Sequence, residues 1–246
     1  MNKLFLKGIK HGIPIGLGYL SVSFAFGLQC VSPTETGLRL TVLQALLISM
    51  TNLTSAGQLA GLQVMLAGSS LVEMALTQFI INLRYALMGL SLSQKLGPTM
   101  NTPRRMFFAY ANTDEIFAVA SSQPEKLHHH YLYGLMLMPY IGWSLGTLLG
   151  AAAGQILPVF VRNALGIAIY GMFIAIVIPP ARQHKSVAVV VLTAIAISVG
   201  FRYIPGLNQV SGGFVVIICA VIAATVGALL FPVRDEEPAQ RKEADA

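Results

Sequence analysis

Arg84 stands near the middle of an apolar run at residues 71–92, LVEMALTQFIINLRYALMGLSL, and a second apolar run at 107–122, FFAYANTDEIFAVASS, holds the adjacent carboxylates Asp114 and Glu115. A run of 22 residues, at about 1.5 Å per helical residue, crosses a hydrocarbon core of about 30 Å. An arginine at the centre of such a helix costs about 2.5–3.5 kcal/mol on insertion scales, so it faces protein or a wet cavity and not lipid. Charges at that depth either line a substrate or ion path or neutralise one another inside the protein, and the residue types alone leave both open. A third cluster, Thr51-Asn52-Leu53-Thr54-Ser55-Ala56-Gly57-Gln58, interrupts apolar sequence with hydroxyls, amides and a glycine. Irregular backbone cannot face lipid, so a break there is buried or lines a water-filled cavity; the alternative is an ordinary loop between two short interfacial helices. Discontinuous helices are where many secondary transporters hold substrate.

Helical spacing sorts the polar groups of 71–92 into two stripes. Gln78, Asn82, Tyr85 and Gly89 form one, and Glu73, Thr77 and Arg84 form the other. Leu76, Phe79, Leu83 and Leu90 are left for lipid or apolar neighbours. A first helix is expected from about residue 13 to 31, with Pro14 near its start and Gly16, Gly18 and Gly27 for close helix approach. Tyr110 falls one turn before Asp114 if 107–122 is one helix. Four more helices are expected at about 131–150, 163–178, 186–201 and 212–230, punctuated by Pro179-Pro180 and Pro205-Gly206. The fold class is therefore an all-α integral membrane protein, a polytopic bundle of about seven to eight segments with a discontinuous helix. A single transmembrane domain covers 1–232, and a charged tail at 233–246 is expected to be disordered. Gly16-Leu17-Gly18-Tyr19 and Gly142-Trp143-Ser144-Leu145-Gly146 open comparable blocks, a weak sign of two related halves.

Composition supports this. Apolar residues make up 55% of the chain and charged residues 11%, with a mean hydropathy of +0.69, whereas a soluble domain carries about 25% charged residues. The net charge of +6 is scattered over short loops and the tail, which argues against nucleic acid and for orientation by the positive-inside rule. Lysines 3, 7 and 10 place the N-terminus in the cytoplasm; Lys95, Arg104 and Arg105 belong there too, as do Arg182 and Lys185. Three simple spans separate the last two groups, a conflict that a re-entrant segment would remove. No cleavable signal peptide is evident. Cys30 and Cys219 lie in apolar sequence and indicate neither disulfide nor metal. The triplet His128-His129-His130 reads as a solvated loop, since consecutive residues diverge on any regular element. With no HExxH, Gly-x-Ser-x-Gly, Walker lysine or Cys/His ligand spacing, neither an enzyme nor a cofactor is indicated.

Pro14, Phe24-Ala25-Phe26-Gly27, Ser55-Ala56-Gly57-Gln58, Asn82-Leu83-Arg84 and Thr113-Asp114-Glu115, in this order, resemble the AzlC-type branched-chain amino acid permease family over about residues 8–227. The resemblance implies export of leucine, isoleucine, valine and related apolar amino acids from a multi-pass position in the bacterial cytoplasmic membrane, with a small AzlD-type membrane subunit as partner. Alternatives are the permease subunit of an ATP-driven transporter and a membrane protein for another small molecule. A zwitterionic amino acid needs something for each charge. Arg84 suits the carboxylate, Asp114 or Glu115 the ammonium or a coupling proton, and Asn52, Ser55, Gly57, Gln58 and Asn82 complete the candidate set. The bland alternative is that Arg84 pairs with Asp114 or Glu115. Two departures stand out. Relatives often have histidine where this chain has Tyr85, and a tyrosine, with a pKa of about 10, hardly carries a coupling proton at neutrality. Relatives also often have glycine where this chain has Ser55.

Overall fold

A computed structural model describes residues 3–32 and 37–232 of the chain. Among these there are eleven α-helices and no strand: α1 (Lys3–Val31), α2 (Val42–Thr51), α3 (Ser55–Leu66), α4 (Leu71–Ser93), α5 (Thr102–Ala109), α6 (Asp114–Ser121), α7 (His129–Gly154), α8 (Val159–Gly166), α9 (Ala168–Gln183), α10 (Lys185–Tyr203) and α11 (Gly212–Leu230). Helices α1, α4, α7, α10 and α11 are long and apolar enough to cross a membrane. The all-α membrane class is therefore as expected, and the helices outnumber the expected segments because several segments are divided. The charged tail lies outside the described residues.

The chain divides into two compact units, Met1–Ile174 and Ala175–Ala246. The second unit contains the pair α10 and α11, in close approach where a Cβ at Gly227 would lie 2.6 Å from a Val190 methyl. The first unit is built on α1 and α7, which run parallel. Gly8 lies against Tyr131 and Leu135, Gly16 against Met138 and Gly142, Phe24 against Gly150, and Val31 against Gly154. Along this seam a Cβ on Gly8, Gly16, Gly27, Gly134, Gly142, Gly146 or Gly150 would strike backbone of the other helix, so the axes come as close as backbone allows. Pro139 cannot donate to the carbonyl of Leu135, and a Cβ at Gly12 would fall 2.5 Å from that carbonyl. The first helix starts ten residues before the expected 13–31, and Lys3, Lys7 and Lys10 sit on its added turns.

Helix α4 runs antiparallel to this pair. After its C-terminus, Leu127 N–H donates to the Lys95 carbonyl and Gly97 N–H to the Leu127 carbonyl, both at 2.9 Å, just before α7 begins. The N-termini of α1 and α7 and the C-terminus of α4 thus share one face. That face carries Lys3, Lys7, Lys10, Lys95, Arg104, Arg105 and Lys126, and by the positive-inside rule it is cytoplasmic.

Two hairpins of half-length helices fill the rest. Leu40 N–H bonds the Cys30 carbonyl at the outer end of α1, and a capping box between Thr41 and Gln44 starts α2 there. Helix α2 rises about 15 Å, half a membrane, before the backbone breaks at 52–54, and α3 then runs about 18 Å. Helix α3 packs antiparallel to α4, Gly57 beside Asn82 and Gly61 beside Gln78, so it returns to the outer face. There Gly68 takes φ +66° and Ser70 caps α4 through Glu73 N–H at 3.2 Å. The polar cluster at 51–58 is therefore the tip of a re-entrant hairpin and does not interrupt a single span.

The second hairpin enters from the cytoplasmic face. Asn101 caps α5, Pro103 follows in its first turn, and α5 ends at 109; α6 begins at Asp114 behind its own cap, Thr113. Lys95 Nζ then donates to the carbonyls of Ser121 and Gln123 where α6 ends, back beside the start of α5. The expected single run at 107–122 is thus parts of two helices of opposite direction, and Tyr110 is not a helical turn away from Asp114. The expected span there is therefore not a single crossing.

Candidate functional site

The tips of both hairpins lie halfway along α1, α4 and α7, and there the polar residues gather. Arg84 Nη1 of α4 is 2.6 Å from Asp114 Oδ2, and its Nη2 donates to the Tyr85 hydroxyl at 3.1 Å. The pair is only partly covered, with side-chain exposures of 41% and 38%. Arg84 Nε is buried and has no hydrogen-bond partner among the described residues. Beside Asp114, Glu115 accepts a short hydrogen bond from Tyr19 of α1, whose hydroxyl also lies 2.7 Å from Thr113 Oγ1. Asp114 and Glu115 occupy the first turn of α6, where the positive end of a helix stabilises acidic groups.

The N-terminus of α3 points to the same place. Its cap residue, Thr54, turns its hydroxyl to Asn52 Oδ1 at 2.9 Å, so no side chain caps the amides of Ser55, Ala56 and Gly57. Tyr19, Leu53, Ser55, Tyr85, Thr113, Asp114, Glu115 and Trp143 enclose a cavity of about 10 Å³. A single water needs about 10–15 Å³, so this arrangement has no room for an amino acid until the tips part. Tyr110, at the end of α5, joins them by donating to the Met50 carbonyl.

The other candidates divide between two neighbouring sets. Gln78 Nε2 donates to the Gly57 carbonyl at 2.8 Å and Asn82 Nδ2 to Gln78 Oε1 at 3.0 Å, so Gly57 and Asn82 knit α3 to α4. Asn82 Oδ1 and Thr77 Oγ1, like Arg84 Nε, are buried without a hydrogen-bond partner among the described residues. Gln58 points to the opposite side of α3, fully buried: its Oε1 accepts from Trp143 Nε1 at 2.7 Å and its Nε2 donates to Ser49 Oγ at 2.9 Å. Ser49 in turn meets Thr147 Oγ1 at 2.7 Å. Gln58 thus fastens the outer hairpin to α7, away from the cavity. The structure brings Arg84, Asp114, Glu115 and Ser55 together, places Gly57 and Asn82 beside them, and holds Asn52 within the tip.

Sequence reasoning missed Tyr19, Trp143, Thr113 as a partner of Tyr19, and the Ser49–Thr147 pair. Tyr19 and Trp143 follow matching glycines, Gly16 and Gly142, which touch across the seam, and their rings meet edge to face at 5.2 Å. The paired glycine blocks were the signal. Leu76, Phe79, Leu83 and Leu90 are exposed, as their spacing requires. The three histidines at the start of α7 do not diverge: His128, its cap, is extended and not helical, its ring accepts from His130 N–H at 3.2 Å, and the ring centroids lie 4.0–4.9 Å apart.

The chain is 28% identical over 193 residues to the inner membrane protein YgaZ of Escherichia coli, covering 75% of this chain and 76% of that protein. It is 30% identical over 191 residues to an uncharacterized membrane protein of Archaeoglobus fulgidus, covering 76% and 81%. A membrane protein of Helicobacter pylori is 27% identical over 157 residues, covering 62% and 65%. No solved structure matches. Residues 14–157, which carry both hairpins, α4 and the α1–α7 seam, match the AzlC protein model. With five apolar spanning helices and more than half of its length under that match, this multi-pass membrane protein belongs to the AzlC family of membrane transport proteins.

Proposed function

We propose that the chain is a secondary transporter that exports branched-chain and related apolar amino acids across the bacterial cytoplasmic membrane, driven by an ion gradient and assembled with a small AzlD-type membrane subunit. The observation that carries this reading is the Arg84–Asp114 pair, held at the meeting point of two half-helix N-termini at mid-depth. Such a pair is a stand-in for a zwitterion. A substrate carboxylate would replace Asp114 on the guanidinium, helped by the first-turn amides of α3 and by Arg84 Nε; the substrate ammonium would take Asp114. Each buried charge keeps a partner before and after the exchange, so the desolvation of an unpaired ion is avoided at every stage. The apolar branch then lies among Leu53, Tyr85 and Trp143, which line the same cavity. Ser55, Asn82 and Asn52 orient the bound molecule.

Inside-out vesicles from cells expressing the full chain, prepared with and without the small subunit, test this with labelled leucine and valine. Uptake is expected with the subunit, without ATP, and to collapse with an ionophore. Arg84→Lys is expected to weaken half-saturation by tenfold or more, since a point charge replaces a planar fork. If Arg84→Gln combined with Asp114→Asn restores both folded protein and transport, Arg84 only neutralises Asp114 and the binding role is wrong.

A further inference from the structure

We infer that Glu115 carries the coupling proton of this transporter and that Tyr19 is the positioning residue that keeps both protonation states of Glu115 satisfied. The inference rests on the transport reading and divides the labour of the two adjacent carboxylates. Asp114 is held by the guanidinium of Arg84 at 2.6 Å, so its carboxylate is already committed to an ion pair. Glu115 forms no ion pair among the described residues; its partner is a hydroxyl, that of Tyr19. From the other elements around the cavity it faces Tyr85 and Arg84 of α4 and Asp114 of its own helix, while α3 and α7 present Ser55 and Trp143, neither of which titrates.

The position of Tyr19 makes this more than a choice by elimination. A phenol has one hydrogen and can donate to one acceptor at a time. Here it has two neighbours in reach, Glu115 Oε2 and Thr113 Oγ1 at 2.7 Å. With Glu115 ionised, Tyr19 donates to the carboxylate and accepts from the Thr113 hydroxyl. With Glu115 protonated, the new O–H donates to Tyr19, and Tyr19 turns its own hydrogen to Thr113. One proton is added, one O–H bond forms on the carboxylate, and Glu115 and Tyr19 are hydrogen-bonded to each other in both states. Thr113 is also the cap of α6, its Oγ1 facing Ile116 N–H at 3.5 Å, so the reversal reaches the tip of the inner hairpin. Histidine at position 85 would offer a titratable group on the same cavity wall; in this chain Tyr85 receives Arg84 instead, and Glu115 is the carboxylate left for the proton.

The chain contains a single tryptophan, Trp143, and its ring meets Tyr19 edge to face at 5.2 Å. Its fluorescence in the purified full-length protein therefore reads the state of Tyr19 with no transport assay. A pH titration in detergent micelles is expected to show one transition, absent in Glu115→Gln and retained in Asp114→Asn. In Tyr19→Phe the carboxylate loses its donor, so the midpoint is expected to move to higher pH by about one unit. In vesicles, the pH dependence of leucine efflux is expected to move by the same amount. A transition that survives Glu115→Gln, or disappears in Asp114→Asn, overturns the assignment. A Tyr19→Phe midpoint equal to that of the wild type overturns the role of Tyr19. A fluorescence titration that behaves as described in a protein that moves no amino acid would uphold the proton site while refuting the transport reading.

Discussion

Replacing Gly142 with alanine probes the α1–α7 seam, and its effect can be worked out from the structure. A Cβ there would lie under 3.0 Å from three Gly16 backbone atoms, its carbonyl oxygen, carbonyl carbon and Cα. Ordinary carbon contacts are about 3.5–4.0 Å, so the axes must part by roughly 1 Å. Backbone cannot swing aside as a side chain can. If roughly 40 atom pairs near the crossing each lose about a third of a ~0.15 kcal/mol well, the loss is about 2 kcal/mol, within the usual range for overpacking. Alanine also favours a helix over glycine by about 1 kcal/mol, which would mask part of the effect. Gly18→Ala supplies the control: it lies on α1, away from the seam, and a Cβ there meets nothing within 4 Å. Propensity is common to both substitutions, so the difference between them isolates the steric part. Equilibrium unfolding in mixed micelles, followed by circular dichroism, should put Gly142→Ala about 2 kcal/mol below Gly18→Ala, about 30-fold in the unfolding constant. Equal stability of the two variants would show that the helices do not meet through Gly16 and Gly142.

Gln58→Leu removes the acceptor for Trp143 Nε1 while Ser49 keeps Thr147, so one buried donor is orphaned and about 1–3 kcal/mol of stability should be lost. The same unfolding measurement checks it, together with a shift of the Trp143 emission. His128 gives a pH dependence of the fold. Partial burial, then the like charges of His130 and Arg104, push it below its ordinary value of 6.5. The unfolded chain then binds its proton more readily than the folded one, so this stability is fully present above pH 6.5 and is lost as pH falls below it. Thermal unfolding at pH 7.5 and 5.5 should show the loss, and His128→Asn, which keeps a helix-capping side chain, should reduce it.

The spanning helices were legible because each is a long apolar run with few charges, and hydrocarbon thickness allows little else. Direction within the membrane was not legible. An apolar piece of ten residues, such as α2, is half a membrane whether the next piece continues onward or turns back. The difference lies in partners far along the chain, Leu40 on Cys30 and Gly57 on Asn82, and no local periodicity encodes them. The charged loops did hold a trace of the answer. Lys95, Arg104, Arg105, Arg182 and Lys185 could not all be cytoplasmic with simple crossings, which pointed to a re-entrant segment, and residues 110–113 form such a turn.

The site was legible by the expense of its residues and obscure in their pairing. Arg84, Asp114 and Glu115 stand out because each charge in an apolar run needs a reason, and that argument is independent of geometry. Tyr19 and Trp143 stand out by nothing of the kind, since an aromatic ring is at home in any membrane helix. Only the parallel register of α1 and α7, enforced by glycines that admit no Cβ, sets Tyr19 beside Thr113 and Glu115 and sets Trp143 on Gln58. That register ties both hairpins to one rigid seam, the outer through Gln58 and Ser49, the inner through Thr113 and Glu115. The two attachments differ in kind. Neutral amide and hydroxyl groups hold the outer tip, and nothing in them changes with pH. A carboxylate, that of Glu115, holds the inner tip through Tyr19. In the mechanism we propose, this asymmetry lets a gradient act on one hairpin while the other keeps its place.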